Sequence, residues 1–143
     1  MTASKCSLIA IALVAMTGCT LRPSLVAAHV KRVDETEIVE VTLRSGDAKA
    51  IKDREIYFSI VVVDCENSRK QFPVQPYVAE QPASNFDFSV AGEFVTLHGS
   101  IPRRVLVDYP KPCVFLRGGS YIFGKIESSP IPLIRKNADL KKN

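Results

Sequence analysis

Short segments in which apolar and polar residues alternate, each ended by glycine or proline, constrain this fold more than any other sequence feature. In "IVEVTLR", residues 38–44, the alternation predicts a strand that buries Val39, Val41 and Leu43 on one face. The segment "EIYFSIVVVDC", residues 55–65, is too apolar for a strand with a solvated face, so it predicts a central strand. Further short strands are predicted for "FDFSV", "EFVTLHG", "IPRRVLVDY", "CVFLR" and "YIFGKIE".

Turn signals separate these segments. "SGD" at 45–47 predicts a turn, Gly99 is expected to end a strand, and Gly118 with Gly119 predicts a hairpin turn. Three prolines within residues 72–84 predict an edge strand or a loop, because proline cannot donate to a ladder. About seven or eight short strands, with turns about every 8 to 12 residues, predict an all-β antiparallel sandwich of immunoglobulin-like architecture. A small β-barrel is the alternative.

The composition is that of one folded domain. The chain has 143 residues, of which 46% are hydrophobic and 24% are charged, so it has enough apolar material for a core. Its net charge of +4 is too small to indicate binding to nucleic acid, where phosphate contacts dominate the affinity. We therefore predict no nucleic-acid partner.

The N-terminal segment has the composition of an export signal. Lys5 is the only charged residue before Arg22, and residues 6–16, "CSLIAIALVAM", form an apolar run. This run is too short to span a bilayer as a helix, which needs about 20 residues, so it predicts a secretory signal peptide. Two cleavage sites compete: one lies before Cys19, and the other lies after Ala28, where "VAA" offers small residues.

The stretch "MTGC", residues 16–19, resembles the lipobox of bacterial lipoproteins. The resemblance implies that Cys19 receives a diacylglyceryl group, becomes the new N-terminus and is acylated again. Two or more acyl chains anchor a protein stably to a membrane. In this class an aspartate after the cysteine favours the inner membrane. Thr20 stands there instead, so the resemblance implies a cell-envelope protein on the outer membrane, facing the periplasm, rather than on the inner membrane.

These features divide the chain into four parts. We predict a signal peptide over 1–18, a lipidated N-terminus and tether over 19–36, the sandwich over 37–134 and a polar, cationic tail over 135–143. Within the tether, a short helix over "SLVAAHVKRV" is the alternative to an extended linker.

Cysteine usage predicts one disulfide bond. Of the four cysteines, Cys6 leaves with the signal peptide and Cys19 carries the lipid, which leaves Cys65 and Cys113. In an oxidising compartment this pair predicts a disulfide worth about 3 to 4 kcal/mol. Its placement resembles the inter-sheet disulfide of immunoglobulin-like domains, although the tryptophan that packs on it there is missing. The cysteines and histidines lack the spacing of a zinc site, so we predict no metal and no cofactor.

Two proline-stiffened segments and a basic region are the candidate binding surface. "FPVQPY" and "YPKPC" are predicted to present Tyr77 and Tyr109 on rigid loops, which suit binding at low entropic cost. Arg103 and Arg104, with Lys111 and Arg117, give a locally basic region for lipid head groups or an acidic partner.

Candidate chemistry is sparse. His98 in "TLHGS" is a candidate general base, but no serine or cysteine in a nucleophile motif accompanies it, so we predict no catalytic residue. The sequence favours a membrane-anchored, non-enzymatic binding lipoprotein with a protein partner in the cell envelope. An inhibitor, an immunity protein or an accessory subunit of an envelope assembly fits this class. A small periplasmic hydrolase or lyase is the alternative.

Overall fold

Two β-sheets, two short α-helices and one 3-10 helix (Ala83–Asn85) make up the part of the chain that the computed structural model describes, residues 20–120 and 124–136. The sheets share one apolar core and do not close into a barrel, which confirms the predicted all-β sandwich. Within these residues, seven strands have four or more residues and five have two. In chain order the elements are β1 (Thr20–Leu21), β2 (Leu25–Val33), β3 (Thr36–Arg44), α1 (Ser45–Asp53), β4 (Tyr57–Asp64), β5 (Asn67–Val74), β6 (Tyr77–Val78), β7 (Gln81–Pro82), β8 (Phe94–Pro102), α2 (Arg103–Asp108), β9 (Pro112–Ser120), β10 (Gly124–Glu127), β11 (Ile131–Pro132) and β12 (Ile134–Arg135).

The first sheet, sheet A, has the strand order β1-β10-β9-β4-β5, and β11 also pairs with β9. The second, sheet B, has the order β12-β2-β3-β8-β6-β7. Most neighbours are antiparallel, but β1 and β12 run parallel to β10 and β2. Helix α1 joins β3 to β4, and α2 joins β8 to β9. Because β3 and β8 are antiparallel, these crossings lie at opposite ends of the sandwich, named here the α1 end and the α2 end.

The strands with the strongest local pattern are confirmed. In β3, the side chains of Val39, Val41 and Leu43 are fully buried, as the alternation predicts. β4 lies between β9 and β5, and residues 60–63 are all buried, as predicted for a central strand. β5 is an edge strand of sheet A and contains Pro73, which agrees with the proline signal.

The prediction of a tether over 19–36 is wrong from Thr20 onward. β1 pairs with β10, and β2 pairs with β3 along most of its length. Ala28 and Val30 are buried in the core, while the polar residues between and after them face outward. This alternation indicates a strand only because β3 provides the hydrogen-bonding partner. The sequence of residues 25–33 alone could not distinguish a strand from a linker. The sandwich therefore already includes β1 and β2, which precede the predicted start at residue 37.

Two helices lie where a turn and a strand were predicted. "SGD" begins α1, whose buried residues Ala48 and Ile51 are three apart and face the core. The N-cap residue of α1, Arg44, makes no side-chain capping hydrogen bond, so the usual N-terminal signal is missing. β8 does not end at Gly99 but continues to Pro102, after which the predicted strand "RRVLVD" is α2 and buries Val105 and Leu106.

The segment "FDFSV", residues 86–90, is not a strand. Phe86 has a left-handed backbone (φ 54°) and its ring meets the Tyr57 ring edge-on, with 5.0 Å between centroids. Phe88 is buried in the core. Packing of these two rings, rather than strand pairing, sets the path of this segment.

Gly118 and Gly119 do not form the predicted hairpin turn. Both lie within β9 and pair with β4 on one side and β10 on the other. A Cβ atom at Gly118 would come within 2.0 Å of the Tyr57 carbonyl oxygen, so close strand approach explains this glycine. The residues that join β9 to β10, 121–123, lie outside the described part of the chain.

The two chain ends are described only in part. The predicted signal peptide (1–18) and Cys19 lie outside the described residues, as do residues 137–143 of the predicted tail. The start of that tail is not frayed, because Arg135 belongs to β12 and Lys136 Nζ lies 3.0 Å from Glu40 Oε2. Across residues 20–120 and 124–136, no helix has the length and apolar character needed to cross a membrane.

Candidate functional site

The predicted disulfide between Cys65 and Cys113 is present, with the Cα atoms 5.3 Å apart. The resemblance to immunoglobulin-like domains predicted a disulfide that joins the two sheets. This prediction is wrong. Cys65 directly follows β4, and Cys113 is the second residue of β9, so the bond links neighbouring strands of sheet A. The disulfide therefore reinforces one sheet at the α2 end, and it lies on the face of sheet A that points away from the core.

This outer face of sheet A carries a second, smaller apolar cluster. Val61 and Val63 of β4 pack with Cys113 and Phe115 of β9, and all four are buried. Their strand neighbours face the core instead, because successive side chains point to opposite faces. We name these four residues the outer cluster. A sandwich needs only its inner faces buried, so the outer cluster needs another explanation.

Arg117 covers one side of the outer cluster. The centre of its guanidinium group lies 4.8 Å from the centroid of the Phe115 ring, and Nη1 donates a hydrogen bond to Gln71 Oε1 at 2.9 Å. A cation over an aromatic face at an exposed site contributes about 0.5–1 kcal/mol. Arg117 is the one predicted binding residue placed here, on an exposed position of β9.

A pocket of about 240 Å³ opens between the disulfide, β5 and the segment that follows β10. We name it the outer-face pocket. Its floor is apolar, with Val63, Phe115 and the disulfide, and its rim is polar. One wall is fixed by Ser128, whose N–H donates to the Leu116 carbonyl oxygen at 3.0 Å while its Oγ accepts from the Leu116 N–H at 2.8 Å. The polar rim consists of Asp64, Ser68, Gln71, Arg117, Glu127 and Ser128.

Charges of both signs surround the pocket. Lys111 forms an ion pair with Glu66 next to the disulfide, and the hydrogen bond that Lys111 Nζ donates to this carboxylate is the main reason that the pKa of Lys111 is raised. The Asp64 side chain is held in place, since its Oδ1 accepts a 3.0 Å hydrogen bond from the Glu66 N–H. Arg117 and Glu127 face each other in register across β9 and β10. The rim can therefore meet a partner that carries both charges.

The other predicted binding residues do not join this site. Tyr109 is only 8% exposed and belongs to the core, so its prediction as a surface residue is wrong. Burial, followed by the nearby Asp108 and Asp64 carboxylates, raises the pKa of the Tyr109 hydroxyl. Burial of so large an aromatic ring is favourable, and it decides the position of Tyr109 although the neighbouring prolines suggested an exposed loop.

The predicted basic region is divided by the fold. Arg103 and Arg104 are exposed in the first turn of α2, which packs against β8 of sheet B. Arg117 is on the outer face of sheet A. Tyr77 is half-buried in β6, where it pairs with His98 on sheet B. Closeness in sequence therefore does not produce one surface from these residues.

His98 is engaged by the backbone. Its Nε2–H donates to the carbonyl oxygen of Ala79, because a carbonyl oxygen can only accept. Glu40 stands beside His98 in register, but its carboxylate is bound by Lys31 and Lys136. The hydrogen bond from Lys31 is the main cause that lowers the pKa of Glu40, and partial burial opposes it. Among the described residues, no group of three His, Cys, Asp or Glu is placed to hold a metal ion.

Phe115 and Gln71 shape the pocket together with Arg117, and neither was predicted as a site residue. A signal for Phe115 was available in "CVFLR", where four consecutive apolar residues leave both faces of a strand apolar. Gln71 carries no local signal, because its role arises from the pairing of β5 with β4.

Comparison with known proteins gives no assignment. No protein-family model matches the chain, and the searches of curated proteins and of solved structures return no match. The candidate site is therefore defined by its geometry.

Proposed function

We propose that this protein is a lipid-anchored binding protein of the bacterial cell envelope and that it binds a protein partner through the outer-face pocket of sheet A. The outer cluster is the observation that carries the proposal. Four apolar side chains are gathered on a face that the sandwich itself does not need, next to a pocket with a polar rim. Apolar floors with polar rims are the usual anatomy of protein interfaces.

The anchor rests on the lipobox-like "MTGC" at residues 16–19, which makes Cys19 the acylated residue. Thr20 after it favours the outer membrane, facing the periplasm. The disulfide supports an exported protein, because such bonds persist in oxidising compartments and are rare in the cytosol.

The size and charge of the pocket support a protein partner. A volume of about 240 Å³ is below the range of about 300–1,000 Å³ typical of small-molecule sites. It suits one apolar side chain of a partner, resting on Phe115 and the disulfide. A carboxylate on the same partner would pair with Arg117, whose planar guanidinium group suits such contacts. Inhibition of an exported enzyme, immunity and envelope assembly all proceed through contacts of this kind.

The anchor is tested by the intact mass of the mature protein. We expect a chain that begins at Cys19 and carries added acyl mass. A soluble chain that begins at His29 would contradict the anchor, because it would place cleavage after Ala28.

The pocket is tested by photo-crosslinking in intact cells. A photoreactive amino acid at Ser68, on the rim, is expected to give a discrete adduct with one protein partner. The matched position is Thr96, which is exposed on the outer face of sheet B and should give no such adduct. Arg117→Glu should abolish the adduct, whereas Lys31→Glu, a charge reversal on sheet B, should retain it. Equal adducts from both faces would contradict the proposal.

A further inference from the structure

The N-terminal residues of the proposed mature chain are fixed to the fold. Thr20 and Leu21 pair in register with Lys125 and Ile126 at the edge of sheet A, and Leu21 packs against the core. The Cα atom of Cys19 can be only about 3.8 Å from that of Thr20, because the two residues are consecutive. No free length of chain separates the proposed acylated residue from the sandwich.

The segment after β1 is held just as closely. Pro23 is buried, and the Ser24 N–H donates to Asp47 Oδ2 in the first turn of α1 at 3.2 Å. β10 begins at the α1 end, and β1 runs parallel to it, so Thr20 is the residue of β1 nearest to that end. An acyl group on Cys19 would therefore emerge at the α1 end.

We propose that the α1 end of the sandwich lies directly against the phospholipid head groups and that the domain has a fixed orientation on the membrane. This inference rests on the proposed acylation of Cys19. The partner is the lipid surface itself, because a residue attached to a strand cannot enter the membrane unless the end of that strand touches it.

Exposed aromatic side chains give independent support. Tyr57 is 60% exposed and Phe94 is 43% exposed, and both lie at the α1 end. Tyr57 stands in the same row across sheet A as Thr20, three strands away, which is about 14 Å at the usual strand spacing. Tyrosine and tryptophan concentrate at the membrane–water interface, and phenylalanine is common on the apolar face of helices that lie in it. Among the residues that the structure describes, the exposed large apolar residues at the α2 end are the aliphatic Val33 and Val107.

This orientation directs the outer-face pocket away from the membrane. Gly119 of β9 lies in the same row across sheet A as Thr20. Cys113, in the pocket floor, is six residues from Gly119 along β9, so the pocket floor is about 20 Å from that row. The pocket would then stand clear of the head groups, where an envelope protein can reach it.

Single tryptophans can test the orientation, because the chain has no tryptophan of its own. Tyr57→Trp reports the α1 end, and Val107→Trp, at a 71% exposed position of α2, is the matched control. Each acylated variant is reconstituted into phosphatidylcholine vesicles whose acyl chains carry bromine near the head groups. We expect loss of most Tyr57→Trp fluorescence and little loss for Val107→Trp. Equal quenching, or stronger quenching at position 107, would overturn the orientation.

Flotation of the same vesicles separates the two proposals. Protein that does not float lacks the anchor, and both proposals then fail. Protein that floats with equal quenching at the two positions keeps the anchor and refutes only the orientation. As a second variant, a flexible Gly-Ser segment between Cys19 and Thr20 should preserve flotation and restore the fluorescence of Tyr57→Trp. Unchanged quenching in that variant would show that the short attachment does not set the orientation.

Discussion

The outer faces of the two sheets differ in how their side chains are satisfied. On sheet B, Glu40 is paired with Lys31 and Lys136, and the Thr42 and Thr96 hydroxyls lie 3.4 Å apart. On sheet A, the outer face holds the apolar outer cluster beneath Arg117, beside the outer-face pocket. Sheet B thus presents polar groups that complement one another, whereas sheet A carries a buried apolar cluster on its outer face, next to the outer-face pocket.

The energies involved in the two faces differ as well. An exposed ion pair contributes about 0–1 kcal/mol, since water solvates its charges well in the unfolded chain. Burial of one large apolar side chain contributes about 1.5–3 kcal/mol. The outer face of sheet A should therefore matter more for stability than that of sheet B, and the outer-face pocket lies beside it.

Removal of the disulfide should have the largest effect. Cys65 and Cys113 are 48 residues apart. In the chain-entropy model, closing a loop of that size lowers the entropy of the unfolded chain and so raises its free energy by about 4 kcal/mol. The double variant Cys65→Ala, Cys113→Ala should lose about that much free energy of unfolding, measured by urea titration. A loss below about 1 kcal/mol would mean that the disulfide on sheet A is dispensable.

Truncation of the outer cluster should have the next largest effect. Phe115→Ala removes a buried ring from the outer face of sheet A and should cost about 3 kcal/mol of unfolding free energy. Thr96→Ala, on the outer face of sheet B, is the control and should stay within about 0.5 kcal/mol of the parent. If both variants lose the same stability in urea, the two faces do not differ as described.

Alanine substitutions at two neighbouring glycines of β9 compare the space available on the two sides of sheet A. Gly118→Ala places a Cβ 2.0 Å from the Tyr57 carbonyl oxygen and 2.5 Å from the Phe58 Cα, so it should cost about 1–3 kcal/mol. Gly119→Ala meets its nearest atom, the Gly124 carbonyl oxygen, at 3.5 Å and should change stability by less than about 0.5 kcal/mol. Thermal unfolding of both variants measures the difference, and the reverse order would contradict the close strand approach.

The ion pairs of sheet B should have the smallest effect, and it should depend on pH. The pKa of Glu40 is lowered in the folded protein, so its pairs stabilise the fold above the ordinary pKa of 4.5 and lose this contribution as the pH falls through the lower, folded-state value. Glu40→Gln should therefore cost less than about 1 kcal/mol at neutral pH. The parent and the variant should converge in acid, and a difference that is independent of pH would point to packing instead.

Local patterns predicted the middle of each sheet and failed at the edges and connections. The burial of Val39, Val41 and Leu43 follows from alternation alone, and residues 55–65 are apolar enough to require a central strand. β2 was missed because its alternation gains meaning only from β3. α2 was missed because "RRVLVD" contains β-branched residues that favour strands, although the fold needs a crossing from sheet B to sheet A there.

The candidate site was predictable only in part for the same physical reason. The Cys65–Cys113 pair and Arg117 were identified from residue type, and the disulfide is confirmed. The outer cluster arises where β4 and β9 align, and the sequence could not specify that register. Tyr109 was predicted to be exposed because the prolines that follow it suggested a loop, but its ring lies in the core.

Hydrogen–deuterium exchange of the protein, free and bound to its crosslinked partner, tests most directly whether sheet A is the binding face. If the partner binds at the outer-face pocket, exchange in the complex should slow over β5 and residues 128–130, which border the pocket, and stay unchanged over β3 and β8. Protection confined to β3 and β8 would contradict it and would place the partner on the charged face of sheet B.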